Sequence, residues 1–149
     1  MRSEIAPHPA WRSLTAWFLI GAAVACFALW TQQRTVDGEL AFVLRVGHQS
    51  GARAFIESEL GSIPLTEGLG HDGQYSYLIA RDPFGLDNLP SLADDGAYRY
   101  RRALHGWLAG GFGLFSPRAA LVGLVALTIV GFGMATAATA DVAAQSGAR

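Results

Sequence analysis

The chain has 149 residues, 51% of them hydrophobic and only 15% charged, with 11 basic side chains against 12 acidic ones; an average soluble domain carries roughly 25% charged residues. That balance excludes a disordered tail, a collagen-like repeat and a basic nucleic-acid-binding module. The single cysteine, Cys26, excludes an internal disulfide and a multi-cysteine zinc site, and what remains is a small membrane protein or a piece of a larger one.

In chain order, residues 1–13 read as a short cytoplasmic tail with Arg2 and Arg12 against Glu4. Leu14 to Trp30 is free of charge and, at about 1.5 Å per residue, spans roughly 26 Å, close to the bilayer core of about 30 Å. Trp11 and Trp17 at one end and Trp30 at the other suit interfacial anchoring. The run is longer than a signal-peptide core of about 7–15 residues and no small-x-small cleavage site follows it, so it reads as an uncleaved membrane helix.

Residues 31–118 form a long connecting loop with eight Arg and ten acidic residues. Loops longer than about 60 residues translocate largely regardless of charge, which favours the loop outside and the N-terminus inside, with Arg118 at the loop end of the second run arguing mildly the other way. Within it, Ser50 is positioned to cap a short helix reaching Leu60, and residues 61–70 read as a connector. Asp72 is placed to cap a helix whose Tyr75, Leu78 and Ile79 share a face, and Pro83 stops it. Asp94-Asp95-Gly96 resembles a turn. Tyr98 to Phe115, with clustered Arg and aromatics, has the composition of an amphipathic helix on a membrane surface. Ala119 to Ala140 is the second charge-free run and can cross with some tilt. Its Gly131 and Ala135, four apart, would let another helix approach closely. Residues 141–149 are a polar cytoplasmic tail.

Two groups of residues stand out chemically. Asp72 lies between Gly70 and Gly73, so backbone can come close to it. Its carboxylate can act as a general base for an acceptor hydroxyl, as a metal ligand or simply as a helix cap. Arg99, Arg101 and Arg102, flanked by Tyr98 and Tyr100, offer planar forks for lipid phosphate, with Arg99 and Arg102 on one helical face, or general attraction to anionic headgroups. His48, His71 and His105 lack ligand-like spacing, so no metal site is expected from them, and no phosphate loop, dinucleotide fingerprint or nucleophile elbow is present.

Gly70-His71-Asp72-Gly73-Gln74-Tyr75, Ile79-Ala80-Arg81-Asp82-Pro83-Phe84 and Tyr98-Arg99-Tyr100-Arg101-Arg102 together resemble the first-loop signature of bacterial polytopic membrane proteins related to GT-C class glycosyltransferases. Those proteins carry a Gly-Tyr-Asp-Gly-Gln-Tyr-Tyr-like motif and then Arg-Tyr-x-Arg between their first two membrane helices. His71, Ser76 and His105-Gly106 depart from that pattern. The resemblance implies a polyprenyl-phosphate sugar donor; a divalent cation is left open by the Asp72 carboxylate itself, and the sequence fixes no cofactor. By position it implies Asp72 as catalytic base, Gln74 and Tyr75 at the acceptor or sugar, and Arg99 and Arg102 at the donor phosphate. Such enzymes need many more helices, so the expectation is an N-terminal module or truncated form, inactive alone. The competing expectation is a non-enzymatic two-pass protein whose loop and small-residue helix face bind partner membrane helices. In fold class both are all-α membrane proteins: two transmembrane helices, 14–30 and 119–140, joined by an extracytoplasmic loop with short amphipathic helices against membrane lipid.

Overall fold

In the computed structural model, residues 11–34, 39–101, 104–113 and 116–147 are described. They are helical throughout, apart from turns and two isolated β-bridges. The helices are α1 (Trp11–Arg34), α2 (Arg53–Leu60), α3 (Asp72–Arg81), α4 (Gly96–Arg101), α5 (Leu104–Gly113) and α6 (Pro117–Gln145), with 3-10 turns at Leu40–Leu44 and Leu89–Leu92. The chain divides into two compact units, one of described residues up to Leu29 and from Thr128 onward, the other Trp30–Leu127.

In the first unit α1 packs on the distal part of α6 through small residues. Gly21 lies against Thr136 and the Phe132 carbonyl, and Gly133 against the Phe18 ring, so neither position has space for a larger side chain. The close approach therefore falls at Gly133, while the expected Gly131 faces open space. The cause is rotational: residues two apart on a helix point about 200° apart, so only one of the pair can face α1. Thr136 and Thr139 each donate their hydroxyl to the carbonyl four residues earlier, both at 2.8 Å, and so carry no free polar group outward.

Only 11% of the apolar window of α1 and 28% of that of α6 is buried. A core helix of a soluble domain would be mostly buried. Both helices are long and apolar enough to cross a membrane, and both expose large side chains, among them Leu19, Val24 and Phe27 on α1 and Phe132 and Met134 on α6. Each helix is longer than the charge-free run inside it. Backbone hydrogen bonding continues α1 through Thr31, Gln32 and Gln33 to Arg34 and α6 past Asp141 to Gln145, because nothing in those flanks breaks a helix.

The second unit has its own core. Leu44, Val46, Ile56, Tyr77 and Leu78 are at most 1% exposed, and Ala120, Leu121 and Leu124 of the first turns of α6 join them. Residues 45–49 are stitched to 66–71: Thr66 N–H donates to the Val46 carbonyl (2.8 Å), His48 N–H to the Thr66 carbonyl (3.0 Å) and His71 N–H to the Arg45 carbonyl (3.0 Å). Helix α3 lies on α5 where Gly106 meets Ile79 and Gly110 meets the Ala80 backbone. The stretch expected as a surface helix, Tyr98 to Phe115, is helical over its described residues, which fall in α4 and α5. Ser50 Oγ accepts from Ala52 N–H (3.2 Å) at the entrance to α2, and α3 ends at Arg81, two residues before Pro83. Asp72 is the first residue of α3 and His71 the extended residue preceding it, one position from the expected cap.

Candidate functional site

The Gly70–Tyr75 motif is mostly architecture. Gly70 has φ +81°, and a Cβ there would strike the Arg45 carbonyl and Gly47 amide. A Cβ on Gly73 would strike the carbonyls of Val43 and Leu44. Both glycines let the 3-10 turn lie directly on the start of α3, the close backbone approach that their spacing suggests. Gln74 is fully buried and its Nε2 donates to the Leu69 carbonyl at 2.7 Å, tying the connector to α3. Tyr75 is 6% exposed and forms a floor. Asp72 is the motif's outward group, with its side chain 81% exposed.

That carboxylate is held by Arg99. Arg99 Nη1 donates to Asp72 Oδ1 at 2.5 Å, while Nε and Nη2 donate to Asp94 Oδ1 (3.1 Å) and Oδ2 (3.2 Å). The guanidinium also stacks over the Tyr75 ring, 4.6 Å from its centroid. Two carboxylates share one cation, so the cluster carries a net charge of −1, and Arg99 is already spoken for. The hydrogen bond from Arg99 holds the Asp94 carboxyl below its ordinary range. Burial, with Asp94 nearby, pushes the Tyr75 phenol up. The recess lined by Asp72, Tyr75, Ser76, Ile79, Tyr98 and Arg99 holds about 80 Å³. It admits a hydroxyl-sized group, whereas whole-ligand sites run to about 300–1,000 Å³.

Of the five residues singled out in sequence, Asp72, Tyr75 and Arg99 come together here. Gln74 stands beneath them in the core, and Arg102 lies outside the described residues. Asp94, expected only as part of a turn, is the bidentate partner of Arg99. Asp95 does the turn's work, its Oδ1 accepting from Tyr98 N–H (3.2 Å) at the start of α4. The five-residue step from Asp94 to Arg99 matches no helical spacing, so no periodicity flags it. Among the described residues no group of three His, Cys, Asp or Glu side chains could hold a metal ion. A cation at Asp72 would compete with Arg99 for the same carboxylate.

A second polar network braces α3 from behind. Glu59 of α2 accepts from Arg81 (2.8 and 3.0 Å) and from the Tyr77 hydroxyl (2.8 Å). Burial pushes the Tyr77 phenol up, and so does its bond to Glu59. In α4 the Tyr100 hydroxyl is buried with no hydrogen-bond partner among the described residues, and burial beside Asp82 pushes it up to about 12. A phenol with a raised folded pKa stabilises the fold fully below its unfolded value near 10, and that contribution is lost as pH rises towards 12. Tyr100→Phe is therefore expected to match or exceed the parent's thermal midpoint at pH 7 and to lose less of it at pH 11; a lower midpoint at pH 7 would mean the hydroxyl has a partner.

A scan against protein-family models, a search of curated proteins and a search of solved structures each return no match to this chain.

Proposed function

We propose that the chain is a membrane-embedded module of a GT-C-like glycosyltransferase that takes a polyprenyl-phosphate sugar donor, with Asp72 as the base that receives the acceptor proton. In that reaction the acceptor oxygen attacks the anomeric carbon, the bond to the phosphate oxygen breaks, polyprenyl phosphate leaves, and the acceptor proton passes to Asp72. One observation carries the reading. Asp72 and Arg99, 27 residues apart and belonging to different segments of the signature, meet in a direct ion pair at an open recess. Gln74 and Tyr75 then serve as supports of that carboxylate, and Arg99 as the group that orients it.

The membrane setting of the proposal is two spans, α1 and α6, with the N-terminus inside and residues 31–118 outside. Helix α5 lies in the interface. Its Leu104, Trp107, Leu108 and Phe112 are all more than half exposed, while Gly106, Ala109 and Gly110 face the unit's core. His105, Ala109 and Phe112 meet a single turn of α6 at Gly123 and Leu124, so α5 crosses α6. From Asp141 back to Gly123 is about 27 Å of helix, against a bilayer core of about 30 Å, so the crossing falls at the bilayer edge. The alternative, a non-enzymatic two-pass protein that binds partner helices, draws support from the apolar groove of about 440 Å³ along Trp17, Phe132, Ala135, Thr139 and Ala143.

The test uses the full-length gene product in native membranes. It is expected to resist alkaline carbonate extraction and to transfer labelled sugar from a polyprenyl-phosphate donor to acceptor. Asp72→Asn is expected to lower transfer at least about 100-fold, in line with loss of a positioned base, with Asp95→Asn near parental. Transfer unchanged by Asp72→Asn removes that residue from the chemistry, and a complete absence of transfer together with a stable hetero-oligomer establishes the alternative.

A further inference from the structure

The second unit has another cavity, away from Asp72, where the chain enters α6. It holds about 320 Å³ and is lined by Glu39, Leu40, Leu60, Ile63, Arg118 and Val122 among others. Glu39 and Arg118 are the charged groups in that lining. The unit's ion pairs lie elsewhere: Arg53 with Glu57, Arg81 with Glu59, and Arg99 with Asp72 and Asp94. Glu39 and Arg118 make no ion pair among the described residues, with each other or with any other group. A cavity walled by Leu40, Leu60, Ile63 and Val122 on its apolar side, with Ser62 and one unpaired charge of each sign besides, is complementary to a zwitterion with an apolar tail.

Its place in the chain selects the ligand's source. Arg118 immediately precedes the charge-free stretch Ala119 to Ala140, where a basic side chain meets lipid phosphate. Val122, one helical turn further on, is 54% exposed and continues the wall apolar. We infer that this cavity seats one phosphatidylethanolamine headgroup, the phosphate on Arg118 and the primary ammonium on Glu39, with an acyl chain leaving along Val122. The ammonium matters because it offers three N–H donors to a carboxylate. A choline headgroup has none, and a glycerol headgroup has no positive charge for Glu39. The inference rests on the membrane-spanning part of the proposed function and is independent of any chemistry at Asp72.

The experiment is native mass spectrometry of the full chain in mild detergent, titrated separately with phosphatidylethanolamine, phosphatidylcholine and phosphatidylglycerol. One phosphatidylethanolamine is expected to bind about tenfold more tightly than either of the others, the worth of a charged hydrogen bond. Glu39→Gln is expected to erase its advantage over phosphatidylcholine, and Arg118→Gln to weaken both. Equal binding of phosphatidylethanolamine and phosphatidylcholine overturns the assignment of Glu39. Tightest binding of phosphatidylglycerol reduces the site to simple attraction by Arg118 and overturns the inference. Insensitivity to both substitutions moves the lipid elsewhere and overturns it too. Both side chains line a surface cavity, so unchanged circular dichroism is expected of both variants. Release of the parent chain by carbonate defeats the membrane reading itself, whereas retention without lipid preference defeats this inference alone.

Discussion

Gly70→Ala is expected to lower the thermal midpoint of the detergent-solubilised chain by roughly 10 °C, whereas Gly68→Ala lowers it by only about 3 °C. Both glycines have positive φ, +81° and +68°, so both substitutions place an L side chain in the left-handed region at about 1–2 kcal/mol. The difference is what the new methyl meets. At Gly68 there is nothing within 4 Å. At Gly70 it collides with the Arg45 carbonyl and the Gly47 amide, which are backbone and cannot rotate aside. The Arg45 carbonyl also accepts the His71 N–H, so relieving the collision unstitches the connector from the 3-10 turn. The combined cost is about 3–4 kcal/mol, and about 2–4 °C accompanies each kcal/mol at this chain length. Midpoints followed by circular dichroism test it; equal shifts for the two variants would sink the steric account.

Glu59→Ala is the second large effect, with an expected loss of about 3 kcal/mol. The carboxylate is 15% exposed and Arg81 19% exposed, so the pair is largely removed from water, and the Tyr77 residue is fully buried. Truncation strands a guanidinium and a hydroxyl in a low-dielectric place, and stranding costs more than the bonds themselves contribute. A companion variant separates the two. Removing both charges in Glu59→Leu with Arg81→Met is expected to cost less than Glu59→Ala alone, because no uncompensated charge remains. Urea midpoints of single and double variants decide it, and a double variant worse than the sum of its parts would contradict the argument.

The long elements were legible because their signal is local. A charge-free run bounded by Trp30, or by Arg118 and Asp141, reads as a long apolar helix whatever surrounds it, and Pro83 ends α3 from its own covalent geometry. The glycines at 70 and 73 were legible as places of close approach, though not what would approach. Burial on α3 was less so: Gln74, Tyr75, Tyr77, Leu78, Ile79 and Ala80 are all buried, and a helix covered nearly all round has no face for periodicity to reveal. Gln74, which the resemblance put at the acceptor or sugar, therefore gave no sign of its burial. The site was legible by half. Asp72 and Arg99 stand out by neighbourhood and composition, but Asp94 and the Glu59–Arg81–Tyr77 network depend on contacts across 5 to 22 residues. Gly106 and Gly110, which seat α5 on α3, carry no local signal of that contact.

The two ends of the Asp72–Arg99 pair stand on supports of different firmness. Helix α3 is enclosed, whereas α4 has six residues and buries none of them. Amide hydrogens of α3 should exchange only when the unit opens as a whole, and those of α4 by fraying. The carboxylate is thus the stator of the site and the guanidinium its moving part. Whatever enters the recess meets a carboxylate rooted in the enclosed helix and a guanidinium rooted in the exposed one.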